Sequence, residues 1–433
     1  MHRHDNRKHR HDHRKLGREL NLFDTDPLMG AGLPYWLPDG AAVRHALEEY
    51  VRRAELRAGY QHVYSPVLGK RELYETSGHW SHYSEDMFPP MALGGAAGQE
   101  SQEGQESQEG EEVVLRPSLC PHHALIYRSR SHSYRELPLR MAELGGMYRS
   151  ERSGVLGGLS RVRAIQLNDA HIFCTPDQAA EEAGAALRLI REAYRALGIR
   201  PTRYRLSLPG AGGKYVADPE MWQRAAALLT EVLEEAGVPY ESVEGEAAFY
   251  GPKIDVQIAD GAGRETTLST VQIDFHQPER FGLHYIGPDG AKHRAVMVHR
   301  SVIGSVERAV AHLIEVYGGA FPAWLAPTQL VVLPITEDEL PQAAAFVARG
   351  AERGLRVRLV GPEHGTLGAR VRAARLVPYQ AVIGPKEAVD DRVALRLRDG
   401  RRLEPLPATE VLDRVGALIA AYRTELWEGD GDA

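Results

Sequence analysis

The chain has 433 residues, enough for two or three domains and a sizeable core. Its 43% hydrophobic and 26% charged residues are ordinary for a globular protein, no apolar run reaches the roughly 18 residues of a membrane span, and the N-terminus lacks the apolar core of a secretory signal. A net charge of −7 excludes a globally basic nucleic-acid binder, while two cysteines, Cys120 and Cys174, argue against a disulfide framework and fit a reducing cytoplasm.

Residues 1–13 are rich in His and Arg and are predicted to be a disordered tail, with adventitious metal binding by the five histidines as the alternative. Residues 41–58 carry the apolar spacing of an amphipathic helix, ended by Gly59, and GYQHVYSPVL then reads as a strand broken by Pro66. Residues 89–112 hold a polar, acidic, Gly-rich repeat and are predicted to be a low-complexity, disordered loop between two strands. Helices are expected at 176–197 and 219–236, and strands around 247–275 with a turn at DGAGR. A further strand is expected at 292–303 and a helix at 304–317. After FPAWLAP the pattern becomes strand–helix alternation: a buried strand TQLVVLPI, a helix at 338–353, a strand RVRLVG, a helix at 367–376 and a strand QAVIG. This indicates a small α/β domain from about 327 onward. Twelve arginines lie between Arg349 and Arg402, a local patch able to bind a phosphate backbone, or simply solvated faces of an Arg-rich composition.

The densest chemistry lies in 140–174. Its two ends read as strands and its centre, SGVLGGLS, as a hairpin loop. Residues two apart on a strand share a face, so such a hairpin can aim Arg149 and Asp169 into one pocket. A guanidinium fixed beside a carboxylate and an imidazole suits phosphate chemistry with a metal nearby, whereas a surface hairpin with solvated arginines is the alternative. Cys120, His171 and His299 come from separate segments. One thiolate and two imidazoles match the preference of zinc and leave coordination positions open. No CxxC or HxxxH spacing links them, so a buried cysteine and hydrogen-bonded histidines are the alternative reading.

The order of longer motifs is more specific. LPYWLPDGAAVRHALEEYVRRAELRAGYQHVYSPVL, ETSGHWSHYSEDMF, RPSLCPHH, LPLRMAELGGMYRSERSG, DAHIFC, AAFYGPKIDV and VMVHRSVIGSVERAV occur in that order. From about Arg14 to Trp427 the chain resembles the threonyl-tRNA synthetase family of class II aminoacyl-tRNA synthetases. The resemblance implies an α+β fold: an antiparallel sheet with flanking helices at 14–326, then an α/β anticodon-binding domain at 327–433. It implies homodimers joined through the first motif, a cytoplasmic location without membrane contact, and ATP-dependent activation of L-threonine followed by transfer to tRNA(Thr). The chain starts where the family's N-terminal and editing domains would end, so these are expected to be absent and a trans-acting hydrolase is a possible partner. A diverged paralogue serving a carrier protein, or a tRNA-binding regulator, is the other reading.

Residue by residue, the resemblance makes Cys120, His171 and His299 the ligands of one Zn²⁺ per subunit, which selects threonine by its amino and hydroxyl groups. Asp169 accepts the threonine hydroxyl, with Tyr250, Gln272 and Lys253 around the amino acid. Arg149, Glu151, Arg161 and Arg308 hold ATP with Mg²⁺, and Arg149 and Arg308 act in catalysis. His79 assists acyl transfer at the terminal ribose. Glu387 and Arg396 read anticodon bases. Several positions depart from the family's pattern: Ile165 replaces an aromatic ring over adenine, and Leu167 a glutamine. Thr266-Thr267-Leu268-Ser269 replaces Trp-Gln-Cys-Gly, Ser118-Leu119 stands for Met-Asn, and His122 for glycine. These changes are expected on the walls of the nucleotide and amino-acid pockets.

Overall fold

Eight strands form the floor on which the rest of the N-terminal part is laid. The computed structural model describes residues 12–93, 111–212, 214–261 and 263–427. In chain order the strands are Gln61–His62 (β1), Leu139–Tyr148 (β2), Ala164–Cys174 (β3), Arg203–Leu208 (β4), Tyr240–Glu244 (β5), Lys253–Ala259 (β6), Glu265–Asp274 (β7) and Val296–Ser301 (β8). They lie side by side as β5-β4-β6-β7-β8-β3-β2-β1. Neighbours run antiparallel except at the edges, where β5 joins β4 and β1 joins β2 in parallel.

Alternation separates the two faces of this sheet. Ala170, Ile172 and Cys174 of β3, Ile254, Val256 and Ile258 of β6, Val271 and Ile273 of β7, and Val296 and Val298 of β8 all enter one core. The helices Pro38–Arg57, Ala179–Leu197, Pro219–Glu235 and Val306–Tyr317 supply its other side. The residues in between point the opposite way, which puts Asp169, His171, Lys253, Asp255, Thr270, Gln272, His299 and Ser301 around a cleft. Each helix follows from its sequence. Pro38–Arg57 starts on a proline at its first position, buries Val43, Leu47, Tyr50, Val51 and Ala54 on one stripe, and stops before Gly59, whose φ of +80° only glycine adopts readily. Val306–Tyr317 is capped by Ser305, whose hydroxyl accepts from Arg308 N at 3.1 Å.

The C-terminal part has its own sheet. Leu330–Pro334 (β9), Val357–Leu359 (β10), Tyr379–Ile383 (β11), Arg392–Leu397 (β12) and Leu406–Pro407 (β13) are ordered β10-β9-β11-β12-β13. β9 pairs in parallel with both neighbours, and β12 is antiparallel to β11 and β13. The helices Leu340–Glu352 and Ala408–Ala420 close a second core over this sheet. Tyr50, Trp324 and Tyr422 form a ring cluster, with centroids 4.7–5.1 Å apart, that ties the two parts together. The α+β architecture is thus as the sequence implied. Among the described residues no helix is long and apolar enough to cross a membrane.

Four expectations are corrected. His13 is not tail: it opens the helix His13–Glu19, capped by Asp12, and is buried with Nδ1 2.7 Å from Glu315. The partner is 302 residues away, beyond any local pattern. Residues 1–11 lie outside the described residues. The acidic loop is shorter than 89–112, because Met91–Leu93 and Glu111–Leu115 pair as strands, with Leu68–Lys70 on the other side of the latter. Residues 94–110 lie outside the described residues. The strand expected at 292–303 is two: Lys292–Arg294 makes a separate hairpin with His284–Ile286, and only Val296–Ser301 joins the large sheet. Finally, part of the arginine patch is engaged internally. Arg356, Arg370 and Arg398 donate to backbone carbonyls, while Arg349 and Arg353 pair with Asp391 and Asp413.

Candidate active site

Register assembles the inner end of the cleft. Lys253 pairs with Gln272, Gln272 with His299, and His299 with His171, so four strands present one row of side chains. Cys120 arrives from outside the sheet, as the first residue of the helix Cys120–Arg128. A ligating atom from each of Cys120, His171 and His299 lies within 4.8 Å of the other two, and all three residues are buried. The two imidazoles stand edge to face, 4.7 Å between centroids. Tyr250 stacks on His299 at 5.0 Å and donates from its hydroxyl to Gln272 Oε1 at 2.8 Å. Asp169 Oδ2 is 3.9 Å from His171 Nε2. Burial, ahead of any nearby charge, raises Asp169 and lowers His171, so both are poised toward their neutral forms. Burial likewise pushes the Cys120 thiol up to about 12. A buried thiol and two imidazoles converging this closely form a donor set that suits Zn²⁺, which would also favour the thiolate.

The outer end is cationic. Arg161 Nε donates to Glu151 Oε2 at 2.9 Å. Arg308 donates from Nε to Ser160 O at 3.1 Å and from Nη1 to Thr267 O at 2.9 Å. Arg149 differs: its Nε is buried without a hydrogen-bond partner among the described residues, and its guanidinium sits 5.6 Å from the Tyr83 ring centroid. Desolvation, then the charges of Arg149 and Arg161, lower Arg308. Three guanidiniums converging on one space with one carboxylate between them call for an anion.

Arg149, Glu151, Arg161, Asp169, His171, Tyr250, Lys253, Gln272, His299, Arg308 and His79 all line this single cleft of about 460 Å³, with Cys120 just behind its wall. His79 is buried between Ser77 Oγ, 2.8 Å from Nδ1, and Cys120 Sγ, 3.8 Å from Nε2. Burial, then Arg149 and His299, hold it neutral down to about 3. Glu387 and Arg396 are not brought here. They lie in the C-terminal sheet unit, where Glu387 caps its own short helix by accepting from Gly384 N at 3.1 Å and Arg396 sits on β12.

The departures divide. Ser118, Ile165, Leu167, Thr267 and Leu268 line the cleft, as expected. Ser269 does not: it turns into the core, against Tyr194 at 2.8 Å, and His122 faces a second, apolar hollow beside Leu68 and Phe281. Sequence reasoning missed the residues behind the site. His123, Glu143 and Arg116 form a buried chain next to His171, and Asp274 and Gln277 back His299 and Cys120. His123 lies three residues after Cys120, hence on the same helix face, which was the one local signal.

Residues 103–317 match the model of a tRNA synthetase class II core domain (G, H, P, S and T), and residues 329–418 that of an anticodon binding domain. The chain is 49% identical, over 412 residues, to a threonine--tRNA ligase of Geobacillus kaustophilus, a match covering 94% of this chain and 60% of that protein. It is 48% identical to a threonine--tRNA ligase of Streptococcus uberis, covering 94% and 61%. The chain therefore spans about 60% of the length of the curated relatives it matches. Among solved structures, the RNA binding domain of threonyl-tRNA synthetase from Cryptosporidium parvum superposes with a TM-score of 0.84 at 34% identity, covering 96% of this chain and 99% of that one.

Proposed function

The chain belongs to the threonyl-tRNA synthetase family, and from that premise we propose that it activates L-threonine with ATP and transfers the threonyl group to tRNA(Thr). The observation that carries this reading is one cleft with a buried Cys–His–His cluster at one end and an unpartnered arginine at the other. In the first step a carboxylate oxygen of threonine bonds to the α-phosphorus of ATP. The bond from that phosphorus to the bridging oxygen breaks, and pyrophosphate leaves. Arg149 grips the α-phosphate through its fork and stabilises the charge that builds there. Glu151 and Arg161 hold the adenine and γ-phosphate side and Arg308 covers the base, while Mg²⁺ taken up with ATP would supply charge neutralisation at the phosphates.

Cys120, His171 and His299 would hold one Zn²⁺. Bound there, zinc would supply Lewis-acid selection of an amino acid carrying both an amino and a hydroxyl group, so that valine, without the hydroxyl, would be rejected about 10⁴-fold or more. Asp169 accepts a hydrogen bond from the threonine hydroxyl, and Tyr250 walls the side chain with Gln272 and Lys253 beside it. His79, neutral and at the cleft, assists transfer to the terminal ribose. We assign catalysis to the region 12–326 and anticodon reading to 327–433, where Glu387 and Arg396 meet base edges. The segment 33–68 is the homodimer contact. Its support is the edge position of β1 and the exposed Leu56, Tyr64, Val67 and Leu68 around it. Two free buried cysteines suit the reducing cytoplasm. A hydrolase of misacylated tRNA is a partner that would clear serine charged in error. Charging of a tRNA(Thr) transcript by the purified chain tests the proposal. Threonyl-tRNA is expected, whereas threonyl-adenylate formed without charging would move the acceptor to another molecule.

A further inference from the structure

Each clustered donor turns its far side to a fixed partner, and the hydrogen bonds between them run in only one direction. Glu143 is buried and ion-paired, accepting from Arg116 Nη2 at 2.9 Å and Ser65 Oγ at 2.7 Å. His123 Nε2 lies 3.1 Å from the same carboxylate and, facing an acceptor, has to carry the proton. His123 Nδ1 is then a bare lone pair. It lies 2.7 Å from His171 Nδ1, so His171 donates from Nδ1 and is left with a bare Nε2. His299 follows the same logic. Its Nε2 is 2.9 Å from Asp274 Oδ2, and Asp274 is pinned because Oδ1 accepts from His276 N and Gln277 N at 2.7 and 2.9 Å. His299 therefore offers Nδ1. At Cys120, Gln277 Nε2 lies 3.4 Å and Ser118 Oγ 2.9 Å from Sγ, two groups able to steady a thiolate.

We propose that the buried chain Arg116–Glu143–His123, together with Asp274, sets the tautomer and orientation of His171 and His299 before zinc arrives, with His123 the positioning residue for His171. This rests on the zinc reading above and adds the residues that make the cluster a preset site rather than three nearby side chains. Hydrogen-bonded partners of this kind fix ligand geometry and typically govern metal affinity by roughly 10- to 100-fold. A chain of protons ending on an ion pair is also costly to reverse, since reversing His123 would set a buried lone pair against the Glu143 carboxylate and reversing His171 would set one against the lone pair of His123 Nδ1.

The test is Zn²⁺ affinity of the full chain, by competition with a chromophoric chelator, with the absorption spectrum of the Co²⁺-loaded chain as a second readout. Wild type is expected to bind one Zn²⁺. His123→Phe leaves Glu143 with Arg116 and Ser65, so the metal-free chain should melt near wild type, yet bind Zn²⁺ roughly 10- to 100-fold more weakly and with an altered Co²⁺ spectrum. His123→Asn, whose Oδ1 can replace Nδ1 as acceptor, should recover most of that loss. Asp274→Asn keeps the bonds from His276 N and Gln277 N through its carbonyl but meets His299 with an amide, and should weaken Zn²⁺ through the other ligand even if His123→Phe fails to fold. Unchanged affinity and spectrum in the folded His123 and Asp274 variants would overturn the inference while sparing the zinc reading. A wild-type chain without Zn²⁺ would overturn both.

Discussion

Replacing Arg149 by glutamine removes the guanidinium that, among the described residues of the cleft, no other side chain or carbonyl holds. Arg161 is bound to Glu151, and Arg308 to the carbonyls of Ser160 and Thr267. Among the described residues Arg149 has a buried Nε without a hydrogen-bond partner, and its guanidinium lies near the Tyr83 ring. In the proposed function its hydrogen-bonding partners are oxygens of the α-phosphate. Two charge-assisted bonds to phosphate oxygens supply roughly 3–4 kcal/mol. Lost at the transition state, that is a fall of about 10²- to 10³-fold in threonine-dependent pyrophosphate exchange. The free protein should not suffer. Arg149 is among the charges that depress Arg308, so its removal relieves repulsion between two guanidiniums and the melting temperature should hold or rise. Arg149→Lys should not rescue exchange, because an ammonium cannot grip two oxygens in a plane. Exchange by Arg149→Gln at the wild-type rate, or a loss matched by unfolding, would refute the reasoning.

Glu307 supplies a pH test. Burial raises its carboxyl from 4.5 to about 7. The folded chain keeps a proton that the unfolded chain has released, so this contribution to stability is full below 4.5 and is lost as pH rises through about 7. Glu307→Gln should thus be stabilised relative to wild type at pH 8, by up to roughly 3 kcal/mol. The difference should fade toward pH 5 in thermal melts, and parallel pH profiles would remove the argument. Ile165→Phe restores a ring to the cleft wall and should lower KM for ATP about five-fold, the equivalent of roughly 1 kcal/mol of stacking; an unchanged KM would mean that adenine sits elsewhere. Serine also offers an amino and a hydroxyl group, and one missing methyl is worth only about 1–3 kcal/mol. Serine should therefore be charged measurably by this chain, and no serylation at high serine would show a stricter pocket.

Much of the site was readable because its chemistry is local. Arg149, Glu151, Arg161, Asp169 and His171 lie on one hairpin, and strand alternation aims its alternate residues at one cleft. The long helices were readable for the same reason: Val43, Leu47, Tyr50 and Ala54 repeat on a helical stripe, and Gly59 ends it. What could not be read is set by contacts distant in sequence. His13 looked like one more histidine in a polar run, and only Glu315 makes it structural. Ser269 looked like part of the pocket wall, but the strand pleat turns it toward Tyr194. The run 292–303 carries no turn residue to divide it, yet its first residues pair with His284–Ile286 and only Val296–Ser301 reaches the large sheet. The chain behind His171 depends on Glu143 opposing Asp169 across β2 and β3, a register no composition reveals.

The most direct test of the central claim is ATP–pyrophosphate exchange by the purified chain, run in parallel with threonine, serine and valine. Robust exchange with threonine, weaker exchange with serine and almost none with valine is the expected result. No exchange with any of the three, or valine accepted as readily as threonine, would contradict a threonine-selecting cleft built on Cys120, His171 and His299.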